Sequence, residues 1–144
     1  MAEETINQLR VRLVTPERTL FEQAADTVEL PSKTGYFEVL YGHAPLVAEL
    51  GAGDVIIHGA AAGESGEVRY NVSWGFVEVL GDRVTILASD ALKPEEIDRE
   101  RAEQQLERGE KLWKEAGDSE AAYDDALRVI SEAEAKLASA GEKK

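Results

Sequence analysis

The sequence predicts an all-β N-terminal sandwich followed by a C-terminal antiparallel α-helical hairpin, a β-then-α chain of two domains. Two observations carry this. Up to about Asp90, short segments alternate polar and apolar residues and are separated by Gly-, Pro- or Asp-containing breakers, with no helical period between them. Beyond Asp90, β-branched residues nearly vanish, Ala and charged residues dominate, and apolar residues recur at helical spacing. Residues 1–90 are assigned to the sandwich and residues 91–144 to the hairpin. A chain of 144 residues is long enough for one compact domain of about 90 residues with such an appendage.

Taken in order, Gln8 to Leu13 alternates as a half-buried strand, and Thr15-Pro16-Glu17-Arg18 supplies a turn. Thr19-Leu20-Phe21 returns, Thr27 to Leu30 alternates again, and Pro31-Ser32-Lys33-Thr34-Gly35 breaks the pattern. The stretch Gly35 to Leu50 then reads as two apolar strands around a tight turn at Tyr41-Gly42-His43, with the second strand entered through Pro45. Gly51-Ala52-Gly53-Asp54 is expected to turn the chain before a short β-branched strand, Val55 to Ile57. His58 through Gly66 reads as an exposed hairpin tip. Glu67 to Val72, Phe76 to Val79 and Arg83 to Leu87 read as three further strands, the last two joined at Gly81-Asp82. Trp74-Gly75-Phe76 reads as core and bend.

Pro94 suits the first turn of a helix, and Glu95, Glu96 and Asp98 complement the positive end of its dipole. Ile97, Ala102, Leu106, Gly109, Trp113 and Ala116 form an amphipathic stripe that ends at Gly117. Asp118-Ser119 caps a second helix whose stripe is Tyr123, Ala126, Leu127, Ile130, Ala133 and Leu137. So short a connection makes the pair antiparallel. Trp113 and Tyr123 are expected to pack across the hairpin.

Composition narrows the function. The net charge is −13, and both parts are acidic: residues 1–92 hold 6 Lys/Arg against 14 Asp/Glu, residues 93–144 hold 10 against 15. Such a surface repels phosphate backbones and anionic lipid, so nucleic-acid binding is not expected and partners with basic faces are. The absence of cysteine removes disulfides and thiolate metal sites and fits a cytosol-facing location. No stretch approaches the roughly 18 apolar residues of a membrane span, so direct membrane insertion is not expected.

Chemistry-bearing residues are sparse. His43 and His58 are the only histidines and share no metal-binding spacing, so no metal site is expected. Ser73, His43 and Asp54 lack a Gly-x-Ser-x-Gly context, and no phosphate-binding loop is present. One catalytic reading survives as an alternative: a small sandwich enzyme using His43 with Glu38 or Glu49 in proton transfer.

Gly42-His43-Ala44-Pro45-Leu46, Gly75-Phe76-Val77-Glu78-Val79, the strand Val84 to Ala88 and Ile97-Asp98-x-x-Arg101-Ala102 together resemble the ε subunit of bacterial F-type ATP synthase, in order and spacing, over nearly the whole chain. The resemblance implies a non-catalytic rotor subunit of the central stalk, joining the γ subunit to the membrane ring of c subunits. It implies helices that restrain ATP hydrolysis by alternating contact with the catalytic α and β subunits, and a peripheral location on the cytoplasmic face of the cell inner membrane, in a proton-translocating complex. It also implies an interface with the c-ring and γ built from Ser32, Lys33, Gly35, Tyr36, Gly42 and His43, the two turns forming one end of the sandwich. The sequence departs from the family pattern at Glu38, Tyr41 and Tyr36, where Gly, Pro and an acidic residue are usual.

The Ile97-Asp98-x-x-Arg101-Ala102 match is similar to a nucleotide-binding motif of some ε subunits, which a basic residue at Lys136 would complete. A second basic position falls on Glu132, which opposes an anion. No tightly held cofactor is therefore expected, only weak regulatory ATP, and a stand-alone ATP-sensing module is a further alternative.

Overall fold

The computed structural model describes residues 8–60 and 66–141. The chain divides into two compact units, Met1–Ala91 and Leu92–Lys144. The first holds seven strands: β1 (Leu9–Val14), β2 (Thr19–Ala25), β3 (Thr27–Ser32), β4 (Gly35–Leu40), β5 (Leu46–His58), β6 (Glu67–Leu80) and β7 (Arg83–Leu92). They run in the order β2-β1-β7-β6-β5-β3-β4 and form the β-sandwich. The pairs β1-β2, β3-β4, β3-β5 and β5-β6 are antiparallel, whereas β1 and β7 pair in parallel from Arg10 with Arg83 to Val14 with Leu87.

Alternation places Leu9, Val11 and Leu13 of β1 inside, with Val28 and Leu30 of β3, Val77 and Val79 of β6, and Val84 and Ile86 of β7. Fully burying each such aliphatic side chain contributes about 1.5–3 kcal/mol. Tyr70 is buried with its hydroxyl donating to the Leu20 carbonyl at 3.1 Å, so the polar end of the ring is satisfied.

Two expectations are corrected. Gly51 to Asp54 does not end a strand: β5 runs through it for 13 residues, and β6 likewise runs through Ser73-Trp74-Gly75 for 14. The pairing of β5 with β6 keeps one register along its length, from Leu46 with Val79 to His58 with Glu67. The core-facing apolar residues of β5 nevertheless change from even positions (Leu46 and Ala48 partly buried, Leu50 buried) to odd ones (Val55 and Ile57), with Gly51, Gly53 and Asp54 buried in between. The strand pair re-aims its faces here, and Trp74 (φ 60°) and Gly75 (φ 126°) absorb the distortion in β6. Gly75 is required: a Cβ there would collide with the Leu87 carbonyl. The tip read between His58 and Gly66 lies mostly outside the described residues; its base is closed by the Gly59 N–H donating to the Gly66 carbonyl at 2.5 Å.

The second unit holds a short 3₁₀ turn, Pro94–Glu96, then α1 (Arg99–Lys114) and α2 (Glu120–Gly141). Pro94 therefore opens the 3₁₀ turn rather than the long helix, which starts at the Asp98 cap. Gly117 takes φ 60° and ends the first helical run, and the Ser119 hydroxyl accepts the Ala122 N–H at 3.1 Å, capping α2. Ala102 and Gly109 of α1 and Ala126 and Ala133 of α2 are buried along the seam. Trp113 and Tyr123 meet edge to face with centroids 5.8 Å apart, as the stripe predicts, but Trp113 and Leu127 remain largely exposed.

Candidate functional site

The residues singled out by sequence fall into three places. The first is the turn between β3 and β4. The Ser32 hydroxyl donates to the Gly35 carbonyl at 2.5 Å and accepts the Thr34 N–H at 3.2 Å, a side-chain clasp that shapes the turn. Gly35 takes φ 132°, a conformation open to glycine. Lys33 points back along β5: its N–H donates to the Glu49 carbonyl at 3.3 Å, and its ammonium lies 3.3 Å from the Glu49 carboxylate. Tyr36 is 58% exposed, yet its hydroxyl accepts the Asp54 N–H at 2.8 Å.

The second place is the turn between β4 and β5. Gly42 takes φ 91° and the His43 N–H donates to the Leu40 carbonyl at 3.0 Å. His43 Nδ1 lies 2.6 Å from the Ala44 carbonyl, which only accepts, so Nδ1 carries the proton. The expectation that both turns form one end of the sandwich is corrected. They stand at the two ends of β4, a six-residue strand, about 17 Å apart at 3.3 Å per residue. Sequence missed this because strand length, not turn chemistry, sets the separation.

Between the turns lies exposed apolar surface, and it includes Phe76, which the sequence assigns to core and bend. Phe76 is 52% exposed, with Val47 at 68%, Leu80 at 60% and Leu87 at 50%. Alternation puts Phe76, Glu78 and Leu80 on the outer face of β6. Phe76 pairs with Glu49, the partner of Lys33 in the first turn, and Val47 follows the second turn by two residues of β5. These four side chains line the outer face of β5, β6 and β7 as an apolar stripe that Glu49 and Glu78 interrupt.

The third place is the base of the helical hairpin. Asp98 Oδ1 accepts the Arg101 N–H at 3.1 Å, so this carboxylate caps α1. Ile97 and Ala102 are buried, whereas Arg101 is exposed. The Lys136 ammonium lies 3.5 Å from the Glu132 carboxylate, with only 13% of the Lys136 side chain exposed.

For the catalytic alternative, Glu49 is engaged by Lys33, Glu38 pairs across the strands with Glu29, and Asp54 is held by Arg69 at 3.0 Å. Among the described residues, no group of three His, Cys, Asp or Glu side chains is placed to hold a metal ion. No helix among them is long and apolar enough to cross a membrane.

The class of protein that this fold defines is that of the delta/epsilon chains. The family described as ATP synthase, Delta/Epsilon chain, beta-sandwich domain, matches residues 8–94. The ATP synthase epsilon chain of Koribacter versatilis is 41% identical over 106 residues, covering 73% of this chain and 71% of that one. That of Solibacter usitatus is 39% identical over 138 residues, covering 94% and 97%. In fold, the chain is similar to one in a cryo-EM structure of Euglena gracilis mitochondrial ATP synthase (OSCP/F1/c-ring), with a TM-score of 0.75 at 23% identity, over 94% of this chain and 83% of that one. The chain belongs to the ATP synthase ε family. It is a non-catalytic subunit; the complex is the enzyme.

Proposed function

We propose that this ε chain is a rotor subunit of the central stalk, coupling γ to the c-ring, and that its helical hairpin restrains ATP hydrolysis. The observation that carries the reading is the exposed stripe of Val47, Phe76, Leu80 and Leu87. Several large apolar side chains exposed on one face of the sheet, beside polar turns, suit a partner. The two separated turns suit two partners. Ser32, Lys33, Gly35 and Tyr36 meet the c-ring loops, while Gly42 and His43 continue the stripe into a γ-binding face. The hairpin, held by small residues, is the element free to exchange its packing for contacts with the α and β subunits. The location that follows is peripheral, on the cytoplasmic face of the inner membrane, in a proton-translocating complex.

The test is reconstitution with γ and a c-ring. Leu80→Glu, which places a charge in the stripe without touching the core, is expected to abolish capture by γ while the isolated chain stays folded. Cysteine at Ser32 is expected to cross-link to c-subunit loops. Full assembly of the Leu80→Glu chain with γ would refute the assigned face.

Nucleotide has a narrower role in this reading. Asp98 serves as a helix cap and Glu132 neutralises Lys136. ATP is therefore at most a weak regulatory ligand of Ile97, Asp98, Arg101, Ala102 and Lys136, not a bound cofactor.

A further inference from the structure

The register between β3 and β5 breaks where the first turn begins. Glu29 pairs with Ile56, but the next pairing is Ser32 with Leu50, so β5 carries several extra residues opposite a short piece of β3. Pro31 sits in that interval and has no N–H to offer either neighbour. The ladder is thus open where β5 re-aims its faces. Tyr36 closes the opening from one strand further out. It pairs with Pro31 across the β3-β4 ladder, and its side chain reaches over β3 to accept the Asp54 N–H at 2.8 Å.

Gly53 makes this reach possible. A Cβ on Gly53 would collide with the Tyr36 hydroxyl and stand 2.9 Å from the Pro31 Cβ. Beneath the same backbone, the Asp54 carboxylate is buried and bound by Arg69 at 3.0 Å and by the Asn71 amide at 3.2 Å, so the segment that receives Tyr36 is itself held to β6. Tyr36 remains 58% exposed on its other side. One residue therefore fastens the turn and forms part of its outer surface.

We infer that Tyr36 is a positioning residue: its hydroxyl straps the Ser32-Lys33-Thr34-Gly35 turn to the bend of β5, and the fixed turn is what the c-ring loops recognise. This rests on the ring contact proposed above and adds how the contact is held in place. Ordering the turn before association removes an entropy cost that a loose turn would incur on binding.

The experiment uses the full chain carrying cysteine at Ser32, assembled with γ and a c-ring, with and without Tyr36→Phe. This substitution removes the hydroxyl and keeps the ring. Hydrogen exchange at the Asp54 amide of the free chain is expected to accelerate roughly tenfold, as for loss of one hydrogen bond. Cross-linking from position 32 is expected to fall several-fold, with the urea midpoint of the sandwich little changed. Gly53→Ala, which displaces the same ring, should give the same loss, and the double variant should add nothing to it. Faster exchange with undiminished cross-linking overturns the positioning role, and unchanged exchange overturns the strap. Absence of cross-linking in the Tyr36 background overturns the ring contact itself and is distinct from both.

Discussion

The Ile130 side chain packs directly onto the backbone of Gly109 across the hairpin: a Cβ on Gly109 would stand 2.8 Å from Ile130 Cγ1 and 3.1 Å from Val129 Cγ1. Ala102, Ala126 and Ala133 continue the seam with single methyl groups. Short side chains permit this approach but bury little apolar area, so the closed hairpin rests on shape fit more than on quantity of surface.

Gly109→Val tests that fit. Valine overpacks the seam at a cost of about 1–3 kcal/mol, which exceeds the few tenths of a kcal/mol gained when a β-branched residue replaces glycine in a helix. The expected result is a wider separation between labels on the exposed positions Gln104 and Glu134. An unchanged distance distribution would show that the seam does not hold the hairpin shut.

Ser139 is expected to be replaceable with gain. It is buried on α2, and among the described residues its hydroxyl has no hydrogen-bond partner. Ser139→Ala removes an unsatisfied buried group and improves helix propensity, so hairpin stability should rise by about 1 kcal/mol. Thermal melting followed by helicity measures it; a lower melting temperature would mean that the hydroxyl is satisfied.

These residues also mark what sequence makes legible. Strand alternation from Leu9 to Ala88 and the paired helical stripes were readable because burial imposes periods of 2 and 3.6 on the chain. The glycines misled. Gly51 and Gly53 look like turn formers, but they lie within β5, where a Cβ on Gly51 would press to 2.9 Å from the Ser32 carbonyl and one on Gly53 would strike Tyr36. A glycine demanded by close approach and a glycine demanded by a turn look the same in one dimension.

The candidate site was legible to the same extent. The two turns were found from their chemistry, but their separation depends on the length of β4, and the Tyr36 contact with Asp54 spans 18 positions. An aromatic residue between apolar strand positions reads as core, but Phe76 follows the distortion at Trp74 and Gly75 and faces outward. No local pattern announces such an inversion.

Glu132 is expected to suppress nucleotide binding. It precedes Lys136 by one helical turn, the favourable order for a pair, and both side chains are mostly covered. Glu132→Gln removes a charge that repels an anion beside Lys136. Titration of magnesium ATP into the full chain should show binding about fivefold tighter, equivalent to roughly 1 kcal/mol, and Lys136→Ala should cancel the gain. Equal affinity in all three chains would remove Lys136 from any nucleotide site.

Truncation separates the two units by function. The sandwich forms a compact unit ending at Ala91, with its own buried core from Leu9 to Ala88, so a stop after Ala91 should leave it folded. Its turns and apolar stripe all lie before that point, and the shortened chain should still assemble with γ and the c-ring and support ATP synthesis. What it loses is α1 and α2, whose cations Arg99, Arg101, Arg108, Lys111, Lys114 and Arg128 are the ones that the proposed extended state would turn toward acidic surfaces of the α and β subunits. Like-for-like complexes should therefore hydrolyse ATP faster with the truncated chain, most clearly at low ionic strength, where charge contacts are least screened. Equal hydrolysis by the intact and truncated complexes, under conditions that favour inhibition, would reduce the hairpin to structural support.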